Sequence, residues 1–263
     1  MHRGPSFALG EFWCPPGDAR WNQENWIGAK NHVVFPQTTL RIDHRGGEVV
    51  ADPNTAILYN ADETYRRHLI DPRGDRCFYA ELDEELVDEL LMHTGGRSGF
   101  PAGSAPLDAR LYAFQWRRVR LLTSGRGDSL ALDETFLELL GELMKSMSLG
   151  VIGPNADGRK AVERTKRVIA QRLNEPLSLQ DIAKLVYVSP FHLTRLFRRH
   201  TGMPLHRYRS QLRLRAGLSR LAEGDGAVHH LAIELGFGSH SHFTARFGAA
   251  FGFTPQQWRD CQW

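Results

Sequence analysis

Near the C-terminal end, apolar and polar positions alternate with a helical period, and the pattern occurs twice. In "SPFHLTRLFRRHTG", Leu193, Leu196 and Phe197 form one stripe. Phe191, Thr194, Arg195 and Arg198 recur at i, i+3, i+4 and i+7 and share the opposite, exposed face. Ser189 suits the N-cap, Pro190 the first helical position, and Thr201-Gly202 the stop. Ahead of this helix, Ser178 and Asp181 have capping-box spacing, and Ile182, Leu185 and Val186 continue a short helix toward a turn at Tyr187-Val188. The unit then repeats: Ala183 aligns with Ala232, Ser189 with Ser239, Phe197 with Phe247 and Gly202 with Gly252, the offset being 49 residues before the turn and 50 after it. Two helix-turn-helix units are predicted, at about 178–200 and about 228–250, the second turning at Gly236 and Gly238. A helix over about 204–223, opened by Pro204, links them, with Leu205, Tyr208, Leu212 and Ala216 toward the units and Arg207, Arg209, Arg213 and Arg215 toward solvent or phosphate.

The first half has another period. Short apolar runs, "HVVF", "TTLRI", "EVVA", "TAILY", "TYRRHLI" and "RCFYAEL", are separated by "DHRGG", "DPN", "NADE" and "DPRGD". Such spacing predicts an antiparallel β-barrel or sandwich. The period then becomes helical at about 81–93 and again over about 108–149, where Phe136, Leu140, Leu143 and Met147 form a stripe that lies on the sheet or pairs with a second copy in a dimer. The first thirty residues, with Trp13, Trp21 and Trp26, have no regular period and read as an arm over the sheet or a loosely ordered segment. The expected architecture is α+β: residues 1–157 as a sheet domain with helices, a linker at about 150–158, and residues 159–263 as an all-α domain.

Charge sharpens this division. Residues 1–157 carry 16 Lys and Arg against 23 Asp and Glu, while residues 158–263 carry 17 against 7, so the net charge of +3 conceals an acidic and a basic half. A basic half attracts a polyanion through counterion release. An Arg on the outer face of a helix in a major groove can bond a guanine edge with two N–H groups. No apolar run approaches the roughly 18 residues of a membrane span, and the start lacks a signal-peptide core, so a cytoplasmic location without membrane partners is expected. Cys14, Cys77 and Cys261 form no CxxC pair. His229, His230, His240 and His242 lack the i, i+4 spacing of helical metal ligands, and no metal or other cofactor is expected.

The stretches "LSLQDIAKLVYVSPFHLTRLFRRHTGMPLHRY", "RLRAGLSRL" and "LAIELGFGSHSHFTARFGAAFGFTPQQWR" resemble the DNA-binding domain of the AraC/XylS family of transcription regulators over about residues 161–260. The resemblance implies two recognition helices in successive major-groove segments of promoter DNA. It assigns base contacts to Phe191, His192, Thr194 and Arg195 of the first unit and to Ser241, His242 and Ala245 of the second, and backbone contacts to Ser189, Arg198, Arg199, Arg207 and Ser239. The chain departs from the family at Ala245, where many members carry Arg. Arg246 is expected to lean toward the core, and Gly248-Ala249 stand opposite Arg198-Arg199. The first unit is therefore expected to supply most base discrimination.

The strand-rich half resembles, more loosely, the cupin-like N-terminal domain common in that family, which implies a ligand-sensing role. Arg41, His44, Tyr59, Tyr65 and His68 are the candidate lining for a small-molecule effector. His32, His44 and His68 do not make the close His-x-His pair with Glu and a later His of a metal-dependent cupin enzyme, so binding is favoured over catalysis. The expected partners are promoter DNA, an effector, RNA polymerase if the protein activates, and a second copy if it dimerises. The rival readings are a cupin-type enzyme fused to a DNA-binding domain and a regulator that ignores ligands.

Overall fold

The computed structural model describes residues 2–4, 6–45, 47–92, 99–123, 128–148, 156–224 and 227–260. The chain divides into two compact units, and the division does not follow the sequence boundary. The first unit holds the strands with helices α1 (Glu84–Leu91) and α3 (Ser129–Ser148). The second holds α2 (Ala109–Thr123) and the helices from α4 (Ala156–Gln171) onward. A cut at about 157 therefore misplaces α2. Its packing partners are α7 (Leu205–Ala222) and α9 (His240–Phe251), although it precedes α3 in the chain.

The first unit has two antiparallel sheets. The larger has the order β1-β2-β9-β4-β7-β10, with β1 His2–Arg3, β2 Phe7–Cys14, β4 Asn31–Pro36, β7 Thr55–Tyr59, β9 Asp75–Leu82 and β10 Ser104–Pro106. The smaller runs β3-β8-β5-β6, with β3 Glu24–Trp26, β5 Leu40–His44, β6 Gly47–Ala51 and β8 Thr64–Leu69. The predicted barrel or sandwich is thus two sheets that do not close. Between them Cys14, Trp21, Leu40, Ile42, Val49, Ala51, Ile57 and Tyr59 form a core. All six runs read as strands are strands. The initial segment, read as aperiodic, also contains strands β1, β2 and β3, and the longest, β2, pairs with β9 from Phe7↔Leu82 to Cys14↔Asp75. Its alternation is hidden because Phe7 to Gly10 are all buried. The α3 stripe settles on its own sheet unit, with Phe136 and Leu140 fully buried and the Phe136 ring 4.9 Å from that of Phe7.

In the second unit, α4 and α10 (Pro255–Arg259) join the predicted helices. Helix α4 supplies Val162 and Ile169 to the core of the first helix-turn-helix unit, where Ile182, Val186, Leu193, Phe197, Tyr208 and Leu212 meet. Burying such a set, at about 1.5–3 kcal/mol per large side chain, is what holds two short helices together. The second helix-turn-helix unit uses aromatic rings instead. Phe243 and Phe247 have no exposed surface, and α10 folds back so that Trp258 stacks on Phe253 at 4.9 Å while its Nε1–H donates to the Leu218 carbonyl at 3.3 Å. The second unit is tightly packed: a Cβ on Gly217 would stand 3.1 Å from Phe243 and Leu235 side-chain atoms.

Candidate nucleic-acid interface

The two helix-turn-helix units have matching dimensions. Helix α5 (Leu179–Leu185) and α8 (Val228–Glu234) each have 7 residues, and α6 (Pro190–Thr201) and α9 each have 12. Ser178 and Asp181 form the reciprocal capping box. The first helix of each pair ends in the same way. Val188 N–H donates to Ala183 O at 3.1 Å and Phe237 N–H to Ala232 O at 3.0 Å, each across one residue with positive φ. These residues are Tyr187 at φ 60° and Gly236 at φ 74°, the left-handed position of a Schellman ending. Ser189 and Ser239 then cap the second helices, their Oγ atoms accepting from His192 N–H at 3.2 Å and His242 N–H at 3.1 Å. Gly202 and Gly252, at φ 72° and 82°, close them.

This frame leaves one face of each second helix in water. On α6, Phe191, His192, Thr194, Arg195, Arg198 and Arg199 are exposed, with Phe191 at 72%. The Arg195 guanidinium lies 5.6 Å from the Phe191 ring centroid, and Thr194 Oγ1 donates to Phe191 O at 2.9 Å. The opposite stripe is the buried one, although Leu196 is only half-buried. On α9, Ser241, His242 and Ala245 are exposed, and the His242 ring stands edge-on to Phe237 at 5.8 Å. Arg246 is exposed too, so the expectation that it leans toward the core is corrected: Phe243 and Phe247 already fill that side. The structure thus brings the predicted DNA-facing residues onto two equivalent helix faces, with the guanidinium groups concentrated on α6.

The linker helix differs from its sequence reading. Arg207 is exposed, as expected. Arg209 and Arg213 are half-buried and donate to backbone carbonyls, and Arg215, 1% exposed, lies with its guanidinium 5.1 Å from the Tyr112 ring of α2. Tyr208 and Leu212 are buried as predicted, and Leu205 and Ala216 are half-buried.

In the sandwich, a cavity of about 330 Å³ opens between the sheets. Tyr59 and Tyr65 line it, their rings 4.9 Å apart. Arg41, His44 and His68 do not. By the period of two in β5, Arg41 and Asp43 face outward, where Arg41 Nε lies 3.4 Å from Asp43 and His68 shares a 2.8 Å bond with the same carboxylate. His44 points inward but is held by Glu63 at 2.6 Å beneath Tyr59. The reading missed Arg67, which is 2% exposed and lines the cavity. Its Nη1 donates to Asp75 at 2.9 Å, its Nη2 to the Tyr65 hydroxyl, and its Nε has no hydrogen-bond partner. Burial pushes the Asp75 carboxyl up to about 6 against the pull of Arg67. Arg67 is two residues from Tyr65 on the same strand face, and that was the signal available in the sequence. Among the described residues, no three His, Cys, Asp or Glu side chains cluster as metal ligands, and no helix is long and apolar enough to cross a membrane.

Residues 182–260 match the profile of the helix-turn-helix domain family. The chain is similar to the regulatory protein PocR of Salmonella typhimurium, 29% identical over 41% of this chain and 35% of PocR. It is also similar to the transcriptional activator RhaS of Escherichia fergusonii, 32% identical over 71% of this chain and 73% of RhaS. The chain thus spans about a third of the length of PocR and about three quarters of that of RhaS. Among solved structures, a transcriptional regulator with an AraC-type DNA-binding domain from Chromobacterium violaceum is 29% identical, covering 40% of this chain and 95% of its own, with a TM-score of 0.38. Two equivalent helix-turn-helix units and the extended similarity to RhaS give one conclusion: the chain belongs to the AraC/XylS family of DNA-binding transcription regulators.

Proposed function

We propose that this protein controls transcription by laying α6 and α9 into successive major-groove segments of a promoter, and that a small effector bound in its sandwich shifts this activity. The repeated unit with two exposed second-helix faces carries the DNA half of the reading. Phe191, His192, Thr194 and Arg195 reach bases from α6, and Ser241, His242 and Ala245 from α9. Ser189, Arg198, Arg199, Arg207 and Ser239 face the phosphates. Three arginines on α6 against one on α9 make the first unit the stronger reader.

The cavity between the sheets and its buried Arg67 support the sensing half, because a site of this kind fixes a ligand through a few placed polar groups. An effector acts only through differential affinity for DNA-competent and incompetent states. The chain offers a covalent route for that difference: Leu107 and Asp108 alone separate β10 of the first unit from α2 of the second. The protein acts in the cytoplasm without catalysis, meeting RNA polymerase if it activates. Dimerisation needs a surface other than the α3 stripe, whose central residues are already buried. Genome-wide mapping of bound sites, followed by footprinting with metabolites of the neighbouring operons, tests both halves. Absence of any footprint overturns the DNA half; a footprint that no metabolite alters favours the ligand-blind alternative.

A further inference from the structure

Helix α7 makes two sets of packing contacts along its length. Its first half, through Tyr208 and Leu212, belongs to the core of the first helix-turn-helix unit. Its second half belongs to the other unit, where Gly217 lies against Phe243 and Leu235 and the Leu218 carbonyl receives Trp258. Arg213 stands where the two sets meet. Its Nε–H donates to Leu173 O at 2.9 Å, in the connection between α4 and α5, and its Nη1–H donates to Gly236 O at 2.9 Å, in the turn of the second unit. One guanidinium therefore holds the entry of the first unit and the turn of the second.

The surroundings are built around this bridge. A Cβ on Gly236 would lie 2.7 Å from Arg213 Nη2 and 3.2 Å from Asn174 O, so glycine at this turn, besides suiting a φ of 74°, leaves room for the bridging guanidinium. One helical turn earlier, Arg209 donates to Leu173 O at 3.3 Å, to Leu177 O at 3.1 Å and to Glu175 O, all on the first-unit side. Every one of these acceptors is a backbone carbonyl. Burial, with Arg209 adjacent, pushes Arg213 down to about 10, which leaves it charged at neutral pH.

We propose that Arg213 is the positioning residue that fixes the spacing and relative orientation of the two recognition helices on DNA. A protein that reads two groove segments at once discriminates half-site separation only as sharply as its two readers are held. Apolar packing on α7 secures each reader to the strut, but it is non-directional. The planar fork of Arg213 adds a directional tie between parts of both units. Lysine keeps the charge and not the fork, so Arg213→Lys separates this role from simple attraction to phosphate.

The inference rests on both units reading DNA, and the test keeps the two apart. Bound duplexes are first selected from a random library with the wild-type chain; failure to enrich any sequence defeats the DNA reading itself. The selected half-sites are then rebuilt with the preferred spacer and with one base pair added or removed. Affinities are measured for the wild type, Arg213→Lys, Arg213→Gln and Arg209→Lys. The expected result is at least a fivefold loss of discrimination between spacers for both Arg213 variants. Affinity for an isolated first half-site should stay within twofold of wild type, and Arg209→Lys should keep the wild-type spacer preference. Undiminished spacer discrimination in a folded Arg213 variant, or an equal loss on the isolated half-site, overturns the proposal. Should Arg213→Lys not fold, the same outcomes are read from Arg213→Gln, whose single amide can reach only one of the two carbonyls.

Discussion

Arg195→Ala gives the sharpest test of base reading by α6. The side chain is exposed and its guanidinium lies 5.6 Å from the Phe191 ring, so the folded state loses an exposed cation–π interaction of about 0.5–1 kcal/mol. A bidentate arginine–guanine pair contributes about 1–3 kcal/mol of discrimination, or about 5- to 150-fold in Kd. Arg199, exposed one helical turn further along the same helix, serves as the comparison: a lost phosphate contact weakens all sequences alike and lowers the salt slope by about one. Fluorescence anisotropy on the selected site, a single-base variant and a shuffled duplex, each at several salt concentrations, separates the two. Arg195→Ala should bind the shuffled duplex nearly as the wild type does and lose preference at one base pair. Equal losses on selected and shuffled DNA, or a larger loss from Ser241→Ala with His242→Ala, would refute the assignment of base reading chiefly to α6.

Tyr187→Gly should stabilise the first helix-turn-helix unit by about 0.5–1 kcal/mol, visible as a later urea midpoint, because a left-handed non-glycine residue costs about 1–2 kcal/mol and glycine's greater unfolded freedom returns part of it. Trp258→Ala should destabilise the second helix-turn-helix unit by about 3–5 kcal/mol, leaving a cavity against Phe253 and removing the indole bond to the Leu218 carbonyl; near-UV circular dichroism reports the loss. His32 and His44 are held below the ordinary histidine pKa of about 6.5 chiefly by burial, so the unfolded chain takes up protons first. The sandwich should therefore melt progressively earlier as pH falls from about 7 through 6, and His44→Asn should flatten that dependence in differential scanning calorimetry. Arg67→Leu should destabilise the sandwich by about 3–5 kcal/mol by leaving Asp75 buried without its partner. Arg67 opposes the burial that raises the Asp75 carboxyl, so without it the carboxyl rises further, and the variant's stability should fall as pH climbs above the ordinary carboxylate range, making the penalty greater at pH 8 than at pH 5.

The repeat was legible because its determinants are local: capping serines, glycines at helix ends and apolar residues three and four apart are visible without knowing the fold. The same logic could have found α4, whose Ala161, Val162, Thr165 and Ile169 share a buried face; a small residue and a hydroxyl-bearing one break the apolar pattern there. Strand β2 was hidden for a tertiary reason, since burial of consecutive residues removes the alternation that marks a half-buried strand. The arginines of α7 show a further limit. Arg207 points outward as helical spacing suggests, but Arg209 and Arg213 bond to carbonyls, which carry no residue identity, so no complementary acidic residue appears in the sequence to reveal them. In the sandwich, strand period separates outward Arg41 and His68 from inward Tyr59 and Tyr65, and the same rule applied to β8 places Arg67 with Tyr65.

Helix α2 determines how this protein can be taken apart. A fragment cut just before α4 omits the helix that packs on α7 and α9, and with it the Tyr112 ring against Arg215. Such a fragment exposes an apolar seam beside a second-unit recognition helix, and a chimera that grafts it onto a foreign sensor inherits the same wound. Engineers who exchange halves of this chain should carry residues 109–123 with the DNA-binding part, as a circularly rearranged insert, or expect aggregation through the uncovered seam.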